Sequence, residues 1–139
     1  MKVLVPIDGS QNALKAAQHA GHLAALEKDM EITLLYVITF EPKSTREASY
    51  TENAVQQGAQ HLLQAAADAI RAEAPEAVIA DNVIRGFSAA DVILDCAELE
   101  KFDQIIMGTR GLSNVQRFLL GSVSTRVSQH APCTITLVK

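Results

Sequence analysis

Three glycines near the end of the chain have a spacing that suits an anionic ligand. Gly108 and Gly111 are followed, after nine further residues, by Gly121 and Ser122. Because glycine has no Cβ, the backbone can come close to a ligand at these positions and can adopt positive φ. Successive N–H groups can then point toward one centre and form a nest for an anion. We therefore predict that this segment binds phosphate groups.

A helix predicted to begin at Ser122 or Val123 strengthens this interpretation. The first N–H groups of a helix have no partner within it, and they lie at the positive end of the helix dipole. Ser122 and Ser124 add hydroxyl groups at the same place. Together these groups can hold a polyphosphate without a large basic cluster.

The same glycines also suit a simpler role, in which they serve only a strand-to-helix turn and a helix start. Two known phosphate motifs do not match the segment. It is not a Walker A loop, because Val123 follows Ser122 and no Lys-Ser or Lys-Thr pair follows Gly121. It also lacks the GxGxxG fingerprint of dinucleotide-binding folds.

A second candidate segment, Val5-Pro6-Ile7-Asp8-Gly9-Ser10, lies at the end of the first predicted strand. In open α/β sheets, ligands bind beyond the carboxyl ends of the strands where the winding direction reverses. If the first and fourth strands are neighbours, Asp8 and Gly108 face each other across that crevice. Asp8 can then accept a hydrogen bond from a ribose hydroxyl or approach a phosphate-bound metal. The alternative is an Asp that only forms a turn before Gly9.

Alternating strand and helix patterns are expected to position these residues. Short apolar runs predict five strands, at 2–7, 32–38, 77–84, 104–107 and 134–138. Helical spacing of alanine and aliphatic residues predicts four helices between them, with Ser10 and Ser88 as N-caps. Residues 39–50 are polar, contain Pro42 and are expected to form a loop. The order predicts a parallel doubly wound α/β sheet, with strands one and four central and strand five at an edge.

Length and composition favour one globular domain spanning residues 1–139. Hydrophobic residues make up 48% of the chain and charged residues 20%, and the formal net charge is −4. An acidic balance argues against nucleic-acid binding, which needs a basic surface. No apolar run approaches the roughly 20 residues of a membrane span, and no signal segment is recognised, so a cytoplasmic location is expected.

Other polar residues give weaker signals. His19 and His22 lie three residues apart on the first helix, but no third ligand is near in sequence, so no metal ligands are assigned. Arg110 and Arg117 have the charge to neutralise phosphate, or they are solvated loop residues. Cys96 and Cys133 are expected to be reduced and to pack as small hydrophobic residues. No catalytic residue is assigned, because no recognised catalytic motif occurs.

The chain resembles the universal stress protein family along its whole length, and three stretches of sequence carry this resemblance. They are KVLVPIDGS at the N-terminus, ITLLYVI in the second strand and, most specifically, IIMGTRGLSNVQRFLLGSVSTRVSQHAPCTITLVK at the C-terminus. The family contains nucleotide-binding members marked by G-x2-G-x9-G-(S/T) and members without these glycines. The glycine pattern of this chain resembles that of the ATP-binding branch.

The resemblance implies a strand order of 3-2-1-4-5 and a set of ligand contacts. Pro6 and Asp8 are expected on the nucleoside side, and the main chain of Val37 at the adenine edge. The ribose and phosphates are expected near Gly108, Arg110, Gly111, Gly121, Ser122, Val123 and Ser124. The resemblance also implies a homodimer, with Thr134–Val138 as a reasonable seam.

The function expected from the resemblance is that of an ATP-binding regulatory protein, with Mg²⁺ accompanying the nucleotide. Nucleotide occupancy is expected to alter dimerisation or the binding of a protein partner of unidentified kind. Two alternatives stay open. One is a slow ATPase or nucleotidyl-transfer enzyme, and the other is a nucleotide-independent adaptor, for instance of a membrane transporter.

Overall fold

A computed structural model describes residues 1–40, 48–111 and 120–139, with backbone only for residues 48–51. The strands are β1 (Lys2–Pro6), β2 (Glu31–Thr39), β3 (Val78–Gly86), β4 (Gln104–Gly108) and β5 (Thr134–Val138). The helices are α1 (Gln11–Leu26), α2 (Ala48–Glu73), α3 (Ala89–Leu99) and α4 (Ser122–His130).

The five strands form one parallel sheet in the order β3-β2-β1-β4-β5. This confirms the predicted fold class and strand order. β1 is central, and Val3, Leu4 and Val5 are fully buried, as expected for a strand that is covered by helices on both faces. β5 is an edge strand, and its bounds are those predicted. The chain winds from β1 to β3 in one direction and then returns to β4, so the switch point lies between β1 and β4.

The helices cover the sheet in two pairs. Alanines of α1 and α2 pack with one face of the sheet, and their small side chains let the helices approach closely. Gly21 in α1 lies against the Ile70 backbone of α2, where an added Cβ would come within 2.9 Å of the Ile70 carbonyl oxygen. Residues of α3 and α4 pack with the opposite face in a second cluster around Ile105 and Phe102.

The boundaries of the predicted 39–50 loop were wrong at both ends. Thr39 belongs to β2, because β2 pairs with β3 along its whole length up to Thr39 and Gly86. At the other end, α2 already begins at Ala48. Residues 41–47 lie outside the described part of the chain. Gly86 is likewise part of β3 rather than its exit, so pairing with β2 overrides the local turn signal of Arg85-Gly86.

Both cysteines are free thiols. Cys96 is buried in the α3 side of the core, and burial, together with the nearby Glu100 carboxylate, raises the pKa of its thiol to about 11. Burial, with a smaller effect of Asp103, also raises the pKa of Cys133. None of the helices in the described ranges has the long apolar stretch that a membrane span needs.

Candidate functional site

A cleft of about 210 Å³ opens at the switch point, over the carboxyl ends of β1, β2 and β4. Its walls come from the turn after β1, the first turn of α1, the end of β2, the first two turns of α3, the end of β4 and the start of α4. The ten predicted ligand contacts all line this cleft: Pro6, Asp8, Val37, Gly108, Arg110, Gly111, Gly121, Ser122, Val123 and Ser124. The fold thus brings together residues that are more than 100 positions apart in sequence.

The turn between β1 and α1 is held by its own side chains. The Asp8 carboxylate accepts a hydrogen bond from the Ser10 N–H at 2.9 Å, which is an Asx turn. Gly9 between them has φ of +85°, a conformation that glycine adopts without steric cost. Ser10 Oγ accepts from the Ala13 N–H at 3.1 Å and donates to the Arg110 carbonyl at 3.3 Å. The predicted N-cap Ser10 is therefore confirmed, and it also joins α1 to the segment after β4.

The glycines at the end of β4 leave room for the β1–α1 segment. A Cβ at Gly108 would lie 2.8 Å from the carbonyl carbon of Asn12, and one at Gly111 would lie 2.5 Å from Asp8 Oδ2. Positive φ, which the sequence suggested for the motif glycines, occurs among the described glycines at Gly9 instead. Gly108 is therefore required for close approach to the backbone of α1, and Gly111 leaves room for the Asp8 carboxylate, whereas a Cβ at Gly121 would meet its neighbours at ordinary distances of 3.5 Å or more.

The start of α4 is open toward the cleft. Its N-cap is Gly121, which has no side chain to bond the first turn. The first hydrogen bond of the helix runs from the Thr125 N–H to the Gly121 carbonyl at 2.9 Å. The N–H groups of Ser122, Val123 and Ser124 therefore precede the hydrogen-bonded part of the helix. All three residues line the cleft, so this helix start has the geometry of an anion site.

The two serines of this helix start differ. Ser122 is exposed at the cleft, whereas Ser124 is only 2% exposed. Ser124 Oγ lies 2.7 Å from the Thr109 carbonyl oxygen and 3.0 Å from that of Gly121. Because a hydroxyl has a single proton, Ser124 donates it to a backbone carbonyl and retains only acceptor capacity and its own N–H for a ligand.

The cleft also has an apolar end at β2, which β1 separates from β4 and the start of α4. Six apolar residues that line the cleft were not predicted as ligand contacts: Ile7, Ala13, Leu35, Ala89, Ile93 and Met107. Ser10 was identified only as a cap. The six apolar residues have the sequence pattern of core residues, and only their position at the switch point distinguishes them from the rest of the core.

The main chain of Val37 points into this apolar end. The Leu35 carbonyl accepts from the Ile7 N–H at 2.8 Å, so the polar groups of Leu35 face the β1 side of β2. Alternate residues of a strand direct their polar groups to the same neighbour. Those of Val37 therefore also face the β1 side, where β1 has already ended at Pro6. Val37 offers one N–H donor and one C=O acceptor to the cleft.

Charge in the described lining is sparse. Asp8 contributes a carboxylate and Arg110 a guanidinium, while the other polar groups are serine hydroxyls and backbone amides. In the described ranges, no group of three or more His, Cys, Asp or Glu residues is arranged to hold a metal ion. His22 lies 3.0 Å from the Glu73 carboxylate, in a contact between α1 and α2. Arg117 lies outside the described residues.

Fold and site together define a doubly wound α/β protein with a cleft at its switch point and an open helix start of the kind that suits an anion. A sequence model of the Universal stress protein family matches residues 1–139. The chain therefore belongs to the universal stress protein family.

Known proteins similar to this chain agree with that assignment. Universal stress protein MJ0531 of Methanocaldococcus jannaschii is 33% identical over 99% of this chain and 81% of its own length. The solved structure of hypothetical protein MJ0577 is 29% identical, with a TM-score of 0.74 over 99% of this chain and 94% of that one. A universal stress protein solved in complex with cAMP has a TM-score of 0.78 at 24% identity, over 100% and 97% of the two chains.

Proposed function

We propose that this protein binds an adenine nucleotide, ATP with Mg²⁺, in the cleft and acts as a nucleotide-dependent regulator in the stress response. The observation that carries this proposal is the open start of α4. Three N–H groups, at Ser122, Val123 and Ser124, belong to residues that line a cleft whose other end is apolar. A ligand with phosphates at one end and a flat aromatic ring at the other satisfies both ends.

The apolar end suits adenine. Leu35, Ile93 and Met107 provide a surface against which a purine ring is removed from water. The Val37 N–H and C=O match the ring nitrogen acceptor and the amino donor of adenine. Guanine presents a carbonyl acceptor where adenine has its amino group, so the same pair of main-chain groups disfavours it.

Asp8 and Arg110 serve the middle of the ligand in this proposal. A carboxylate at Asp8 accepts hydrogen bonds from ribose hydroxyls, or it holds a water of a phosphate-bound Mg²⁺. Mg²⁺ commonly keeps several waters and takes one or two carboxylates plus substrate phosphates, so a single acidic side chain fits that role. The ion supplies charge neutralisation for the phosphates when it is bound. Arg110 adds positive charge beside them.

A role in binding and regulation fits the lining better than turnover. The titratable side chains in the described lining are Asp8 and Arg110, and the Asp8 carboxylate accepts a backbone N–H, that of Ser10, rather than the proton of a nucleophile. The protein of the same fold solved with cAMP supports an adenine nucleotide as the ligand class. In this proposal the chain acts as one domain in the cytoplasm, and nucleotide occupancy changes its assembly or its grip on a protein partner.

A homodimer through Thr134–Val138 is part of the proposal. The two edge strands of the sheet differ in their protection. β3 carries exposed charges at Asp81 and Arg85, which discourage pairing with another strand, whereas β5 has the sequence Thr-Ile-Thr-Leu-Val with no charge. The unprotected edge of β5 is therefore the favoured seam between two copies.

Sedimentation velocity tests the seam. Thr134→Lys places a charge on the exposed start of β5 and is expected to shift the protein from dimer to monomer. Asp81→Lys, on the other edge of the sheet, is the matched control and should leave the dimer intact. A native chain that sediments as a monomer at all concentrations, with and without ATP, would remove the dimer from the proposal.

Calorimetric titration tests the nucleotide. The native chain should bind ATP in the presence of Mg²⁺ and should bind GTP at least about tenfold more weakly, the equivalent of about 1.4 kcal/mol. Asp8→Ala should weaken ATP binding, whereas the control Asp81→Ala, on an exposed strand edge, should not. Absence of ATP binding by a folded native chain would overturn the proposed function.

A further inference from the structure

Two residues behind the cleft wall connect the elements that form its phosphate end. Asn12 lies in the first turn of α1, and Thr109 directly follows β4. Neither residue lines the cleft. Asn12 Nδ2 donates a hydrogen bond to Thr109 Oγ1 at 3.1 Å, and Thr109 is only 7% exposed.

Gly108 makes this contact between α1 and β4 feasible. An added Cβ at Gly108 would meet the carbonyl carbon and Cβ of Asn12 at 2.8 Å and the Ala13 nitrogen at 3.0 Å. The first turn of α1 therefore packs directly on the end of β4. At that separation the short side chain of Asn12 reaches the Thr109 hydroxyl.

The main chain of Thr109 joins two further elements. Its N–H donates to the Val138 carbonyl at the end of β5, at 2.9 Å. Its carbonyl accepts from the Gly121 N–H at 2.8 Å and from Ser124 Oγ at 2.7 Å. Thr109 therefore contacts α1 with its side chain, β5 with its N–H and the start of α4 with its carbonyl.

We propose that Asn12 and Thr109 are positioning residues for the phosphate end of the cleft. Thr109 is branched at Cβ, so its side chain has few rotamers, and fixing its hydroxyl restricts the backbone that carries the carbonyl. That carbonyl holds Gly121 and Ser124, and with them the open N–H groups of α4. The proposal rests on the proposed function for its ligand, but the geometry of the helix start can also be measured without nucleotide.

Thr109→Val is the direct test, because valine keeps the shape and the backbone but removes the hydroxyl. We expect ATP affinity to fall about five- to tenfold, the effect of one hydrogen bond, while adenosine affinity stays within about twofold. General destabilisation would weaken both ligands together. Thr109→Ser, which restores the hydroxyl, should recover most of the ATP affinity.

The other end of β4 offers a matched control. Gln104 Nε2 donates to Thr136 Oγ1 at 2.8 Å, so an amide again bonds a threonine hydroxyl, but away from the cleft. Because Thr136 lies in the proposed dimer seam, sedimentation velocity first checks that Thr136→Val keeps the native oligomeric state. With that state unchanged, Thr136→Val should cost similar stability and leave ATP affinity unchanged. Asn12→Ala should reproduce the loss seen in Thr109→Val, and the double variant should lose no more than either single one, because both remove the same contact.

Amide hydrogen exchange of the nucleotide-free protein separates this proposal from the proposed function. Thr109→Val should speed exchange of the Gly121 N–H, and Thr136→Val should not. If the native chain binds neither ATP nor adenosine, the proposed function fails and the exchange data still decide the positioning role. If Thr109→Val matches Thr136→Val in ATP affinity and in Gly121 exchange, the positioning proposal is wrong.

Discussion

The starts of α1 and α4 both border the cleft, but a side chain caps the start of α1, whereas no side chain caps the start of α4. Ser10 caps α1 by accepting from the Ala13 N–H, and Asp8 accepts from the Ser10 N–H, so two N–H groups at the start of α1 are satisfied by side chains of the protein itself. α4 begins at Gly121, which offers no side chain to its first turn. Helix N-terminal amides left open in this way favour an anion from outside the protein.

The third described N-cap shows that capping is the ordinary solution in this fold. Ser88 accepts from the Asp91 N–H at 3.3 Å and closes the start of α3. The Asp91 carboxylate does not complete a reciprocal capping box but accepts from Arg126 on α4 at 2.8 Å. Among the described helix starts, the glycine at α4 is therefore an exception at the place where a ligand is proposed.

The largest expected effect comes from breaking the packing of the start of α1 on the end of β4. Gly108→Ala puts a Cβ 2.8 Å from the Asn12 backbone, which cannot rotate away. We expect a loss of about 2 kcal/mol in the free energy of unfolding, typical of overpacking. Urea denaturation measures this loss.

Gly58→Ala is the matched control for that variant. Gly58 lies in α2, and an added Cβ meets no atom within 4 Å. Alanine is the better helix former by up to about 1 kcal/mol, so this variant should be stabilised. Equal stability of Gly108→Ala and the native chain would show that α1 does not depend on close approach to β4.

Adding a side-chain cap to α4 tests whether the difference between the starts of α1 and α4 matters for ATP binding. Gly121→Asp supplies a carboxylate cap, and a Cβ at Gly121 meets its neighbours at ordinary contact distances of 3.5 Å or more. Stability should stay level or rise by about a few tenths of a kcal/mol. ATP affinity, measured by calorimetry, should fall at least about tenfold, because the carboxylate occupies the N–H groups and repels phosphate.

Gly121→Ala is the control for the aspartate. It adds the Cβ but no acceptor, so most of the ATP affinity should be retained. If Gly121→Asp binds ATP as tightly as the native chain does, the α4 start is not the phosphate site.

Removing a closed cap should affect stability alone. Ser88→Ala eliminates the cap of α3 and should cost about 1 kcal/mol in thermal or urea unfolding. Ser88 does not line the cleft, so the affinity for ATP should remain as in the native chain. A drop in ATP affinity with this variant would mean that α3 is coupled to the cleft more strongly than the contacts indicate.

The smallest effect is expected for the link between the starts of α3 and α4. Asp91 and Arg126 form an ion pair whose side chains are 51% and 56% exposed. Solvent screens such a pair, so Arg126→Ala should change stability by no more than about 0.5 kcal/mol. Unfolding measured at low and high salt checks this, and a large salt-dependent loss would show that the pair matters more than its exposure implies.

Local sequence signals predicted much of the fold. Uninterrupted apolar strands indicated β1 and β4 as central, and Ser10 and Ser88 identified two helix starts correctly. The limits of β2 and β3 were less predictable, because pairing of Thr39 with Gly86 extends both strands beyond their local turn signals. Tertiary pairing decides such ends, and a single sequence does not display it.

In the candidate site, too, some features were predictable from the sequence and others depend on tertiary contacts. Glycine spacing and family resemblance identified ten of the residues that the fold gathers in one cleft. The reasons for Gly108 and Gly111 were not predictable, because they depend on contacts with Asn12 and Asp8 about 100 residues earlier. Thr109 gave no signal either, since its importance lies in hydrogen bonds to three elements that meet only in the folded chain.

Identification of the nucleotide released by denaturing freshly purified protein tests the central claim most directly. The native chain and Gly21→Ala, whose added Cβ strains the α1–α2 contact away from the cleft, should both release an adenine nucleotide, and Gly121→Asp should release none. Should no nucleotide come from the native protein, ATP with Mg²⁺ should still raise its melting temperature. No released nucleotide and no such rise would contradict the account, and the motif glycines would then serve only a strand-to-helix turn and a helix start.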